Sequence, residues 1–375
     1  MSKVVDTLLF CEILKRNGIQ FYAGVPDSLL KDFCACISST KNNIICANEG
    51  AAIGVAAGYY LSSGNIGLVY MQNSGLGNAV NPLVSLADPE VYNIPVLLVI
   101  GWRGEPGKKD EPQHIKQGKI TIEMLNVLKI PYDIIDDKTE NIEMIVSHAC
   151  NVMKERQCPY ALVIRENTFD SYKVVNKTVL NYEFSREDVI KFIIDKLDVD
   201  DIVVSTTGKT SREVFEYREL LNQGHDNDFL TVGSMGHASQ IAMGIAINKP
   251  SKNIYCLDGD GAALMHMGSM AIIGSSALDN YKHIIINNGA HDSVGGQPTV
   301  GFDIQFTAIA KACGYKNVLL AEKAEDIQQS LDILMNSKGT SLLEIRVKKG
   351  ARKDLGRPTT TPIENKEKFM EFLKK

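Results

Sequence analysis

Two apolar runs, at residues 254–257 and 284–286, each end in a cluster of glycines and oxygen-bearing side chains: Asp258-Gly259-Asp260-Gly261 after the first and Asn287-Asn288-Gly289 after the second. The stretch between them accommodates a crossover helix. Strands joined in that way lie parallel and side by side, with their carboxyl ends on the same edge. This pair restricts the chain more than any other feature, because parallel strands need helices packed on their faces and hence an α/β architecture. At the shared edge the glycines let backbone amides come close to an anion, and a helix starting near Ala262 points its positive end at it. Asp260 is placed to hold a hard cation. A carboxylate, a side-chain amide and a backbone carbonyl form an all-oxygen set that suits octahedral Mg2+ completed by diphosphate oxygens and water. A glycine turn beside an unrelated polar strand end is the plain alternative, and it leaves the spacing of the two halves unexplained.

Further strand-like runs at 44–47, 66–71, 96–100 and 161–164 alternate with helical stretches in the first half, and runs at 202–205 and 342–347 complete a second set. At 375 residues the chain exceeds what one hydrophobic core usually supports, so two domains of roughly 180 residues each are expected. Residues 166–184 lose the alternation and read as a connector. Ser185-Arg-Glu-Asp188 then offers a capping box for a helix running to about Leu197. The domains are therefore set at 1–180 and 181–375, with a short helix from Ile363 near the end of the chain. The halves also look alike. Gly50 and Gly58 bracket a small-residue helix leading to the 66–71 run and the turn at 73–78, while Gly236 and Gly244 bracket another leading to the 254–257 run and its glycine turn. In such a repeat Glu49 and Met235 occupy matching positions just ahead of their glycines.

Composition removes several classes of function. Hydrophobic residues at 44% and charged residues at 23% are ordinary for a globular protein and exclude disordered or coiled-coil chains. A net charge of -5 argues against a nucleic-acid partner, which needs a basic face. The cysteines form no C-x-x-C pair and sit mostly in apolar runs, as buried free thiols of a reducing cytoplasm do. The first residues read as an amphipathic helix rather than a signal peptide, and the longest apolar runs fall far short of the roughly 20 residues that span a membrane. A nicotinamide-dependent fold needs G-x-G-x-x-G, and neither Gly259-Asp-Gly261-Ala-Ala-Leu264 nor Gly75-Leu-Gly77-Asn-Ala-Val80 has the third glycine. A non-catalytic α/β protein that binds a nucleotide or a partner is the remote alternative.

The pairing of Gly259-Asp260-Gly261 with Asn287-Asn288 resembles the thiamine-diphosphate enzyme superfamily. The resemblance implies an α/β chain of two thiamine-diphosphate-binding-type domains, each a mostly parallel sheet flanked by helices, with residues 1–180 binding the pyrimidine and residues 181–375 the diphosphate. Thiamine diphosphate and Mg2+ are the implied cofactors. Asp260 and Asn288 are the implied side-chain ligands of Mg2+ and Ala290 the carbonyl ligand, with Asn287 a neighbour and Gly259, Gly261 and Ala262 around the diphosphate. Glu49, in Ala47-Asn-Glu49-Gly50, matches the superfamily's glutamate, which hydrogen-bonds the pyrimidine and so starts the proton transfer that makes the cofactor nucleophilic. Outside that context it is a helix-start residue. Met235 resembles the bulky apolar residue that props the cofactor in its bent form, where core packing is the ordinary role of a methionine. Thr206-Thr207-Gly208-Lys209 resembles the other diphosphate-contacting loop, with Thr207 and Gly208 as contacts and Lys209 either a ligand or solvent-facing.

Longer stretches resemble the phosphonopyruvate decarboxylase family: Gly24-Val-Pro-Asp-Ser-Leu-Leu-Lys31, Met71-Gln-Asn-Ser-Gly-Leu-Gly-Asn78, Gly101-Trp-Arg-Gly-Glu-Pro-Gly107 with Asp110-Glu-Pro-Gln-His114, and Asn287-Asn-Gly-Ala-His-Asp-Ser-Val-Gly-Gly296. The chain has no room for the third domain of most decarboxylases in the superfamily. Sulfopyruvate decarboxylases share the two-part plan and are the nearest alternative, with other 2-oxoacids behind them. The resemblance implies a carboxy-lyase of phosphonate biosynthesis that converts 3-phosphonopyruvate to phosphonoacetaldehyde and CO2. Its partners would be a small anionic 2-oxoacid and further copies of itself, in a homodimer or higher homo-oligomer with the active site between subunits. Asp27 and Ser28 resemble the family's substrate-facing loop and join Glu49 and His114 as catalytic candidates. The 102–114 segment, rich in glycine, proline and charge, reads as a mobile lid. Arg103, Lys108 and Lys109, with Gln72 and Asn73, are the substrate-binding candidates, because a dianionic phosphonate needs cations and amide donors. His266 and His291 follow the cofactor motifs closely and read either as functional groups or as supports for them.

Overall fold

The computed structural model describes residues 4–38, 40–172 and 182–375. The chain falls into two compact units, Met1–Lys177 and Thr178–Lys375. That division, the boundary expected at 180, and the 173–181 part of the expected connector lie outside the described residues.

The first unit contains β1 (Tyr22–Gly24), β2 (Asn43–Ile45), β3 (Gly67–Gln72), β4 (Val96–Gly101), β5 (Tyr132–Ile135) and β6 (Tyr160–Ile164). They form one sheet in the order β2-β1-β3-β4-β6-β5, and every neighbouring pair is parallel. The second unit contains β7 (Ile202–Ser205), β8 (Asp228–Leu230), β9 (Ile254–Gly259), β10 (Tyr281–Asn287), the short strands β11 (Ala290–His291) and β12 (Gln297–Pro298), then β13 (Asn317–Ala321) and β14 (Ser341–Arg346). Its main sheet runs β13-β14-β10-β9-β7-β8, again wholly parallel, while β11 and β12 make a separate antiparallel hairpin. Read from its β8 edge and without the hairpin, the second sheet has the same strand order as the first. The sequence repeat therefore corresponds to a repeated topology, and both units are α/β as expected.

The central strands are buried on both faces. Along β4, Leu97 and Val99 join one apolar cluster and Val96, Leu98 and Ile100 the opposite one, which is why the sequence reads as an unbroken apolar run. Small residues set how closely the helices pack. In the helix Glu49–Ser63 the buried face includes Ala52, Ala56 and Ala57, and a Cβ on Gly67 of β3 would meet Ala56 Cβ at 3.2 Å. That helix is N-capped by Asn48, whose side chain accepts from the Ala51 amide, and ends at Gly64 with φ 70°. The second copy, Ala238–Asn248, buries Ala238, Ser239, Ala242 and Ala246 in the same manner. The capping box at Ser185 and Asp188 is formed, opening the helix Arg186–Ile194, and the last helix spans Pro362–Phe372. Among the described residues no helix is long and apolar enough to cross a membrane.

In each unit the chain leaves the first strand towards one edge of the sheet and leaves the third towards the other. The carboxyl ends of β1 and β3, and of β7 and β9, therefore flank a switch point, where doubly wound sheets open a crevice for ligands.

Candidate active site

In the second unit, Thr206–Gly208 follows β7 and Gly259 ends β9, so two helix starts converge at the switch point. Gly208 has φ 95° and ψ -133°, a conformation open essentially to glycine alone. Thr207 Oγ1 donates to the Val232 carbonyl at 2.7 Å, whereas Thr206 Oγ1 is buried without a partner. Lys209 is half-buried, and its Nζ donates to the Asp292 carbonyl at 3.0 Å. Across the switch point, a Cβ on Gly261 would sit 2.9 Å from the His291 ring and 3.5 Å from Met235 Cε. The structure thus brings Met235 and His291 to the glycine turn. His266 lies against Gly236. Burial holds the imidazole of His291 down to about 4, and that of His266 below its ordinary value with His237 adding to the effect.

Asp260 opens the helix Asp260–Met265 and is 2% exposed. Its carboxylate accepts a short hydrogen bond from the Thr299 hydroxyl and a long one, 3.4 Å, from the Asn288 amide. No basic side chain among the described residues pairs with it. Burial, with some repulsion from Asp292, raises its pKa to about 6 against partial relief from Thr299 and the amides. A buried carboxylate left so poorly compensated is what a cation site presents before the cation binds. Asn288 Nδ2 donates to Asp292 Oδ2 at 2.8 Å and its Oδ1 accepts from the Ala290 amide at 3.0 Å. Ala290 is buried at the start of the β11–β12 hairpin. Asn287 instead donates from Nδ2 to the Gly301 carbonyl and to Glu344 Oε1, at 2.7 and 2.9 Å. The donor set of Asp260, Asn288 and the Ala290 carbonyl is all oxygen and fits Mg2+.

In the first unit, Glu49 begins its helix 5% exposed, and Asn78 Nδ2 donates to Glu49 Oε2 at 2.7 Å. Gly75 closes over the side chain: a Cβ there would lie 2.3 Å from Glu49 Oε1. A polar network fills the neighbouring switch point. Asp27 is fully buried and accepts from Gln72 Nε2 at 2.6 Å and from the Leu29 amide at 3.1 Å. Its pKa is raised by burial, with Gln72 and Arg103 opposing. Arg103 spans the network, donating from Nη1 to Ser28 Oγ at 2.9 Å and from Nε to Asp110 Oδ2 at 2.8 Å, while its amide donates to Asn73 Oδ1 at 3.1 Å. Burial alone would raise the Asp110 pKa, but Arg103 and the Glu111 and Gly104 amides outweigh it and hold the carboxyl below the usual range.

Several contacts brace the segment expected to act as a lid. Trp102 Nε1 donates to the Gly118 carbonyl at 2.9 Å, Arg165 pairs with Glu105 at 2.9 Å, and Lys108 with the same carboxylate at 2.8 Å. Lys108 and Lys109 are exposed on this braced segment. His114 is buried in the helix Pro112–Val127 with Nδ1 unpartnered, and burial together with nearby Arg103 lowers its pKa to about 4. It is a neutral imidazole at neutral pH. Asn78 and Asp110 lie within recognisable motifs, yet only the fold shows them holding Glu49 and Arg103. Thr299 and Arg186, like the carboxylate of Asp292, carry no local signal that ties them to the site.

Two family descriptions match the chain: "Thiamine pyrophosphate enzyme, N-terminal TPP binding domain" over residues 7–124 and "Thiamine pyrophosphate enzyme, C-terminal TPP binding domain" over residues 206–345. A phosphonopyruvate decarboxylase of Streptomyces viridochromogenes is 33% identical over 95% of this chain and 92% of its own length. A sulfopyruvate decarboxylase of Methanosarcina acetivorans is 26% identical over 96% of each chain. The alpha and beta subunits of the Methanocaldococcus jannaschii sulfopyruvate decarboxylase match 42% and 51% of this chain, at 34% and 31% identity, over 91% and 97% of their own lengths. The chain therefore belongs to the thiamine pyrophosphate enzyme family, and within it to the short two-domain group that includes the phosphonopyruvate decarboxylases.

Proposed function

We propose that the chain is a thiamine-diphosphate- and Mg2+-dependent carboxy-lyase that converts 3-phosphonopyruvate to phosphonoacetaldehyde and CO2 in phosphonate biosynthesis. The observation that carries the substrate is the 33% identity to a phosphonopyruvate decarboxylase along almost the whole of both chains. The domains 1–180 and 181–375 supply the pyrimidine and diphosphate sides. Asp260 and Asn288 hold Mg2+ with the Ala290 carbonyl, and Thr207, Gly208, Gly259, Gly261 and Ala262 surround the diphosphate. Met235, already against Gly261, would prop the cofactor.

When bound, thiamine diphosphate supplies the electron sink that lets CO2 leave. The chain's own residues orient and protonate. Glu49, fixed by Asn78 and covered by Gly75, holds the proton exchanged with the pyrimidine ring. Ser28 Oγ and the outer edge of the Arg103 guanidinium offer donors to the dianionic substrate, with Asp110 holding the guanidinium and Asn73 the Arg103 backbone, and with Gln72 beside them on the buried Asp27. Lys108 and Lys109 add positive charge nearby. His114, being neutral, serves as a hydrogen-bond partner rather than a cation. Relatives that divide the same length into separate alpha and beta subunits support an active site that both domains share, and in this reading the sharing is between copies in a homodimer or larger homo-oligomer. Free thiols throughout suit a reducing cytoplasm.

Sulfopyruvate decarboxylation is the second reading, favoured by the full-length match at 26% identity. Purified protein is incubated with Mg2+, thiamine diphosphate and each acid in turn while CO2 release is followed. Phosphonopyruvate should be turned over fastest, and equal or faster turnover of sulfopyruvate or pyruvate rejects the assignment.

A further inference from the structure

We infer that Asp292 is a positioning residue that fixes which end of the Asn288 amide faces the cation. The inference rests on the proposal that Asn288 is a Mg2+ ligand. A carboxamide presents an acceptor oxygen at one end and a two-proton donor at the other, in nearly the same shape. Only the oxygen binds a cation; the NH2 end repels it.

Two neighbours of fixed polarity hold this amide. The carboxylate of Asp292 can only accept, and it takes Asn288 Nδ2 at 2.8 Å. The Ala290 amide can only donate, and it gives to Asn288 Oδ1 at 3.0 Å. A flipped side chain would set oxygen against carboxylate and NH2 against N–H, so both contacts turn repulsive together. The Ala290 hydrogen bond occupies one lone pair of Oδ1 and leaves the other for a metal.

The carboxylate of Asp292 is itself anchored from both ends of the second unit. The Gly350 amide donates to its Oδ2 at 3.0 Å and Arg186 Nη1 at 3.3 Å. Arg186 is gripped in turn by Glu213 through two hydrogen bonds of 2.7 and 2.8 Å. The side chains of Arg186, Glu213 and Asp292 are 7%, 1% and 7% exposed, so the chain of contacts lies in a low-dielectric interior where geometry is held firmly. The helix that opens the second unit thus bears on the cation loop without touching the cation.

The test uses the full-length protein with thiamine diphosphate present and reads cofactor retention by equilibrium dialysis across a Mg2+ titration, with no turnover involved. Loss of such supporting partners typically weakens metal binding about 10- to 100-fold, so Asp292→Ala should raise the half-saturating Mg2+ concentration by that factor. Asp292→Asn keeps one acceptor oxygen for Asn288 and should raise it only severalfold. Asp228→Asn breaks the equally buried Arg218–Asp228 pair, 3.0 Å, and should leave it unchanged, which separates positioning from general loss of stability. Asp260→Ala sets the scale. An unchanged titration in Asp260→Ala rejects the underlying cation site. With Asp260→Ala impaired, a half-saturation within twofold of wild type in Asp292→Ala overturns the inference, as does an Asp292→Asn shift as large as that of Asp292→Ala. If the alanine variant does not fold, the near-isosteric asparagine variant decides, and a value within twofold of wild type overturns it.

Discussion

Gly75→Ala should disable the chain without removing a single polar atom. The backbone at Gly75 has φ -78° and ψ -12°, a right-handed conformation that alanine adopts freely. The added Cβ, however, would lie 2.3 Å from Glu49 Oε1 and 2.4 Å from both Cδ and Cγ, where ordinary contact begins at 3.4 Å. The crowded atoms run down the side chain to Cγ, so a rotation of the carboxylate alone does not relieve the clash, and Glu49 must retreat by about 1 Å. A displacement of about that size costs on the order of 100-fold in rate, equivalent to about 2.7 kcal/mol of barrier. Steady-state CO2 release at saturating cofactor and Mg2+ should therefore show kcat down about 100-fold, with cofactor retention preserved. Gly77→Ala, two residues on in the helix Leu76–Pro82, meets nothing within 4 Å. It should keep full activity and melt slightly higher, since alanine is favoured over glycine in helices by up to about 1 kcal/mol. Glu49→Gln alone should lose activity by orders of magnitude, and the double variant should be no worse, because both changes act through one carboxylate. Activity within threefold of wild type in Gly75→Ala, or full additivity with Glu49→Gln, would refute the reasoning.

The proposed cation site should titrate. The folded-state pKa of Asp260, about 6, lies above its ordinary 3.8. In the cation-free protein this group therefore favours the fold below about pH 4, and that contribution is lost as pH rises through about 6. The same proton competes with Mg2+, so half-saturating Mg2+ for cofactor retention should be flat above pH 7 and climb below about 6, by at most tenfold per unit; a flat profile from pH 5 to 8 contradicts it. Sedimentation of the holoenzyme should find activity only in dimers or larger species, and an active monomer removes the shared site.

Much of the scaffold was legible because parallel strands buried on both faces leave apolar runs in the sequence. The runs at 96–100, 254–257 and 284–286 correspond to β4, β9 and β10. Apart from the two- and three-residue strands β1, β11 and β12, the strands that left no such run are β5, β8 and β13, of which β5 and β13 are largely half-exposed. Two of the three are sheet edges next to solvent and the third, β8, is a three-residue edge, so none needs apolar side chains on both faces. At the site, glycine turns and their spacing marked Asp260 and Asn288, since a close anion approach demands those residue types locally. Thr299, Arg186 and Asn78 are ordinary residues until the fold sets them against Asp260, Asp292 and Glu49.

The sequence by itself determined the alternation of strand and helix, the repeated plan of the two halves, and the oxygen-bearing side chains gathered at one strand edge. Those depend on periodicity and on residue type within a few positions. Tertiary structure alone decided that Asp260 sits poorly compensated, that Arg103 is shared between Ser28 and Asp110, that His114 is neutral, and that the Asn288 amide faces one way. Each of these depends on burial and on the direction of hydrogen bonds from groups far away in the chain, and neither is written in any local stretch of sequence.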